Sequence, residues 1–241
     1  LDDSNALEIN KLHRFIVGID DQSTAGKPPL PHLLTQAEEN DLDDHFARLL
    51  KQTSSYPLTA RTLTAALDAT GLSRQSFVVG EGLQLSWKKN TANLARKLRL
   101  VVAWKDGNDL AVLLSTAPSF DDNQIFLQVI GWDKKARHFN FYERRFDTWI
   151  FAGNSWHALS EPTRGRGAFD SHVNGALVMK ELKSPWLHWS SIAAFDLPGV
   201  GQHDPLQKES LFKDRSGAEQ LESLVRTSVT QWTIKRLDEA E

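Results

Sequence analysis

Between residues 83 and 153 the chain repeats one pattern: a short apolar segment, a few turn-forming residues, then another apolar segment. The segments are LQLSW (83–87), KLRLVVAW (97–104), DLAVLLST (109–116), NQIFLQVIGW (123–132), RHFNFYER (137–144) and DTWIFAG (147–153). Their length and their β-branched and aromatic content read as strands. KDGN (105–108) and DKKA (133–136) are rich in turn residues and too short for a crossover, so sequence neighbours should pair antiparallel. The expectation is a meander of about five or six strands. Side chains two apart share a face, which groups Ile125, Leu127 and Val129, and separately Phe139 and Phe141.

Helical signals flank this block. Residues 1–31 read as irregular, with GKPPLPH extended by its prolines. Thr35 and Glu38 have capping-box spacing, and Leu42, Phe46, Leu49 and Leu50 follow at helical intervals, predicting a helix over 35–52. Within it, LDDH (42–45) reads as a solvated face. Pro57 and Thr59 open a second helix through Leu63, Ala66 and Leu67, stopped near Gly71. Ser216 and Glu219 repeat the capping-box spacing before Leu221, Leu224, Val225, Ser228, Val229 and Trp232, predicting a C-terminal helix over 216–238. Residues 154–206 are rich in Gly, Pro, Ser and Trp and read as irregular, with a short helical piece at 176–182. The fold class is α+β: one domain over 1–241, with a helical part (35–70), a β-meander (83–153), a long irregular Trp/His-rich segment (154–206) and the C-terminal helix.

Composition narrows the function classes. With 28 basic and 31 acidic residues, no cationic excess exists to neutralise a phosphate backbone, so nucleic acid is not an expected partner. No cysteine is present, which removes disulfides, thiolate metal sites and a thiol nucleophile. No apolar run approaches the ~18 residues of a membrane span. The chain starts at Leu1 rather than Met, and the expectation is that an upstream segment, a signal peptide or a tag, has been removed. A small-molecule ligand or substrate is the expected partner.

The chemistry-bearing residues concentrate between Trp149 and Trp189. Long irregular segments inside a domain tend to be functional. Gly165, Gly167 and Gly175 would let the backbone turn sharply and approach a ligand. Asp170, two residues before His172, is spaced to orient an imidazole for acid–base work, and Glu181 offers a second carboxylate. Arg164 and Arg166 suit an anionic group. Trp149, Trp156, Trp186 and Trp189, with His157 and Asn174, would line an apolar wall for an apolar or aromatic substrate or a cationic intermediate. His157, His172 and His188 are not at a diagnostic metal spacing, and no metal site is expected. Against this stands the plain alternative that the histidines are hydrogen-bonded structural residues and the tryptophans are core anchors.

The run HVNGALVMKELKSPWLHW, from His172 to Trp189, resembles a bacterial group of proteins carrying the haem-c attachment motif Cys-x-x-Cys-His. The matching residues are Val173, Asn174, Gly175, Met179, Lys180, Glu181, Leu182, Pro185, Trp186 and Trp189, with FNFYER and WIFAGNSWHAL upstream. The resemblance covers about 60 residues and implies His172 as the axial ligand. Ala168 and Ser171 stand at the two cysteine positions, so thioether linkage is impossible. The resemblance then implies non-covalent haem on His172 with Met179 or a second histidine, a haem pocket turned to other chemistry, or cysteines replaced by engineering. It also tilts towards an exported, periplasmic location.

Three readings are open: an enzyme of a biosynthetic or degradative pathway doing cofactor-independent acid–base chemistry with His172 and Asp170; a non-covalent haem or redox protein; and a non-catalytic binding module. No cofactor is expected under the first and third, and haem under the second.

Overall fold

The computed structural model describes residues 7–22, 29–80, 98–177 and 202–240. One eight-stranded sheet organises them, in the order β2-β1-β8-β7-β6-β5-β4-β3. Six of its strands follow one another antiparallel in chain order: β3 (Ser73–Gly80), β4 (Leu98–Asp106), β5 (Asp109–Thr116), β6 (Leu127–Asp133), β7 (His138–Arg145) and β8 (Thr148–Asn154). β1 (His13–Arg14) lies parallel to β8, and β2 (His32–Leu33) closes that edge antiparallel to β1, so the sheet is mixed. The expected strand at 83–87 falls outside the described residues. β3 was not foreseen, because only Phe77, Val78 and Val79 among its residues are apolar, too few to set a period. The α+β class holds. Among the described residues no helix is long and apolar enough to cross a membrane.

Both faces of the sheet are covered. Four successive residues of β7, Phe139, Asn140, Phe141 and Tyr142, are buried, although alternate side chains point to opposite faces. On the Tyr142 face lies α2 (His45–Gln52), whose Phe46 meets the Tyr142 ring edge-on at 4.9 Å and the Trp149 ring at 4.8 Å. On the other face Phe141 packs against Phe169 at 5.4 Å and His172 at 5.3 Å.

The helix expected over 35–52 is two. α1 (Gln36–Asp41) carries the foreseen Thr35–Glu38 capping box and ends at Leu42. Asp44 then caps α2, its Oδ1 accepting from the backbone N–H of Phe46 at 2.9 Å and Ala47 at 3.0 Å. LDDH is therefore not a solvated helix face. Asp44 is 0% exposed, and its Oδ2 accepts from Asn140 Nδ2 at 2.9 Å and the Tyr142 hydroxyl at 2.5 Å. The carboxylate rests on the backbone of β6, where a Cβ at Gly131 would lie 2.2 Å from Asp44 Oδ1. A glycine inside a strand is what such an approach requires.

α3 (Ala60–Asp68) starts at its Thr59 cap as expected. The C-terminal helix α6 (Ala218–Asp238) is capped by Gly217 without a side-chain bond, not by Ser216. The Ser216 backbone N–H is instead given to the Ser76 carbonyl on β3, at 2.7 Å, so this entry to the helix is fixed by the sheet. Two short helices, α4 (Ser155–Leu159) and α5 (Ser210–Lys213), complete the described helices.

Removing the Asp44 carboxylate would leave four donors without their acceptor, two of them capping N–H groups. Asp44→Ala should destabilise the fold by about 3–5 kcal/mol in urea unfolding. Its neighbour Asp43, half-exposed and paired with Arg48, should cost under about 1 kcal/mol when changed to Ala. Equal effects would show that Asp44 is not the fixing point.

Candidate functional site

Residues 154–177 are more ordered than the expected loop. Asn154 caps α4 with its side chain and receives His157 in return: the Asn154 N–H donates to His157 Nδ1 at 3.1 Å. The three glycines of the segment all take positive φ, as a sharp turn demands. Two of them closely approach the protein itself, while Gly165 faces open space. A Cβ on Gly175 would meet the Ser155 carbonyl at 2.4 Å, and one on Gly167 would meet Val17 at 2.7 Å.

The predicted site residues that are described each have identifiable partners. Trp149 is fully buried under α2 and donates its indole N–H to the Pro57 carbonyl at 3.0 Å. Trp156 stacks edge-on against Trp232 of α6, centroids 4.7 Å apart, and Trp232 donates to the Asn174 carbonyl at 2.9 Å. These described tryptophans join elements to one another. Asp170 is exposed at the end of a short 3-10 turn (Gly167–Phe169), while His172 Nδ1 pairs with the Ala176 carbonyl at 3.1 Å. Arg164 donates to the Leu159 carbonyl, and Arg166 is exposed. The Asn174 side chain caps its own turn by accepting from the Ala176 N–H at 3.0 Å. Ala176 and Leu177 are buried and non-helical. Met179, Glu181, Trp186, His188 and Trp189 lie outside the described residues.

His157 has a clear electrostatic character. Its pKa falls to about 4, first because burial penalises the charged ring, then through repulsion by Arg14, with Asp20 opposing. It is a neutral hydrogen-bonded histidine at pH 7. Among the described residues no group of three or more His, Cys, Asp or Glu side chains is arranged to hold a metal ion.

A cleft of about 350 Å³ opens elsewhere, where the start of α2 meets the β4–β5 and β6–β7 turns. In a meander alternate turns fall at the same end of the sheet, which brings these two together. Leu110, Ala111 and Trp132 supply its apolar lining. The end of β4 contributes Asp106 and the start of β5 Asp109, the β6–β7 turn Lys134 and Lys135, and α2 His45 and Arg48, with Asp43 just before it. His45 Nε2 is 3.8 Å from Asp106 Oδ2. Burial, the largest cause, and the Arg48 cation hold the His45 pKa below its ordinary value; Asp106, Asp44 and Asp43 pull it back. The result is a neutral imidazole beside a carboxylate. Sequence reasoning passed over these residues because each sits in a charged turn or cap. The usable signal was that KDGN, with Asp106, and DKKA, with Lys134 and Lys135, must lie at the same end of the meander.

The His157 shift sets a pH dependence. The folded-state pKa of about 4 lies below the ordinary ~6.5, so the contribution is fully present above pH 6.5 and is lost as pH falls towards 4. His157→Gln keeps an acceptor for the Asn154 N–H but cannot titrate. Between pH 7 and 4.5 the unchanged protein should lose about 2 kcal/mol more unfolding free energy than this variant. Equal losses would contradict the buried neutral histidine.

No protein-family model, curated protein or solved structure matches this chain.

Proposed function

We propose that this chain is a small-molecule protein whose site is the cleft at the start of α2, and that His45, oriented beside Asp106, takes or gives a proton there. One observation carries this reading. The cleft gathers an imidazole that is neutral at pH 7, carboxylates and cations around an apolar lining. That combination suits general acid–base chemistry on a bound polar molecule. The volume, about 350 Å³, is at the small end of the ~300–1,000 Å³ of ligand sites and favours a compact ligand. The reading keeps a His–Asp pair as the working group but moves it from His172 and Asp170 to His45 and Asp106.

The test is ligand-observed saturation-transfer NMR with a cocktail of amino acids, short carboxylic acids and amines. At least one compound should give a signal with the unchanged protein. That signal should fall by about fivefold or more in Lys135→Glu, an exposed change that leaves folding intact. A signal unaffected by Lys135→Glu and by His45→Gln would remove the cleft as the site.

A second reading rests on His172. Its Nδ1 pairs with the Ala176 carbonyl, the kind of backbone contact that orients metal-bound histidines. The same residue stands where the haem-c resemblance expects an axial ligand. Bound haem would supply redox chemistry, and His172 would hold its iron without covalent attachment, since no cysteine exists. Titration with haemin should then give a Soret band that His172→Ala abolishes. A band that persists in that variant, or no band at all, removes this reading.

A further inference from the structure

The charges around the cleft are not all neutralised, and the pattern of what remains says what would complete them. Arg48 is paired with Asp43 at 3.2 Å, and Lys134 with Asp109 at 3.1 Å. Among the described residues Asp106 pairs only with His45, at 3.8 Å, with its side chain 60% exposed. A neutral imidazole at that distance does not cancel a carboxylate. Lys135, exposed on the other turn, makes no ion pair among the described residues. One uncompensated anion therefore sits on the β4–β5 turn and one uncompensated cation on the β6–β7 turn. Between them lie Leu110, Ala111 and Trp132.

Building on the reading of this cleft as a ligand site, we propose that its occupant is a small zwitterion, with its cationic group towards Asp106 and its anionic group towards Lys135. A singly charged anion would answer Lys135 but bring its charge near Asp106. A singly charged cation would do the reverse. Only a molecule carrying both charges is complementary at both ends, and like-charge juxtaposition works against the others. The apolar lining takes the carbon skeleton that separates the two groups. The small volume limits that skeleton to a few carbons, as in an α- or ω-amino acid.

The experiment is isothermal titration calorimetry at low ionic strength, where exposed charges are least screened. The probes are L-valine and 4-aminobutyrate, each with its singly charged counterparts: 3-methylbutanoate and isobutylamine for the first, butyrate and propylamine for the second. At least one zwitterion should bind about tenfold or more tightly than both of its counterparts. Asp106→Asn should abolish the preference over the carboxylate, and Lys135→Gln the preference over the amine. Both changes are on exposed turns, and unchanged melting transitions would confirm that they leave the fold alone. A singly charged probe binding as tightly as its zwitterion, with binding lost in Lys135→Glu, would overturn the proposed ligand class and leave the cleft reading standing. Absence of binding by all six probes would overturn the proposal, while the cleft reading would still be judged by its own cocktail screen.

Discussion

A buried carboxylate holds the architecture together at one point. Asp44 has no access to solvent, and no described cation is paired with it; four hydrogen-bond donors surround it instead. Burying an ionised group is unfavourable unless its lone pairs are met, so its position is stringently determined. Two of the donors are free N–H groups in the first turn of α2, and two belong to β7. The same atoms thus cap a helix and dock it on the sheet. The Tyr142 hydroxyl is driven well above its ordinary pKa by burial and by Asp44, which keeps it a donor. Gly131 is the matching constraint on β6, since any side chain there would displace the carboxylate.

The cleft inherits its geometry from this clamp. Asp43 and His45 flank Asp44 in the chain, and Trp132 and Lys134 flank the buried Asp133 at the end of β6. Working groups at the surface are thereby held by neighbours that cannot move without breaking buried hydrogen bonds. Sites built on rigid elements in this way place side chains more closely than a free loop does. Meander topology then brings the β4–β5 and β6–β7 turns to one end of the sheet, and the sequence sets their charges.

Much of the fold was legible in the sequence. The strand over 109–116 and those near 98–106, 127–133, 138–145 and 148–154 announced themselves by apolar length and turn residues, and Thr35 and Thr59 by their caps. β1 and β2 were not legible, because two-residue strands carry no period; β1 pairs with the distant β8, and β2 with β1. The break between α1 and α2 was missed for a related reason. Asp44 looks like any polar residue on a helix surface until its partners, Asn140 and Tyr142, are folded about 100 residues away. The region from Trp149 to Leu177 attracted functional interest through its density of Trp, His and Gly. Among the described residues there, Trp149 and His157 are bonded to backbone and Trp156 packs on Trp232 of α6, which are packing roles. Large aromatic rings with one polar atom are efficient at that task.

The most direct test of where function resides is a backbone amide chemical-shift map of the protein during titration with a compound found to bind. The account predicts shifts confined to residues 43–48, 106–111 and 131–135, around the start of α2 and its two facing turns. Shifts centred on residues 164–177, with the cleft silent, would contradict it and return attention to His172 and Asp170.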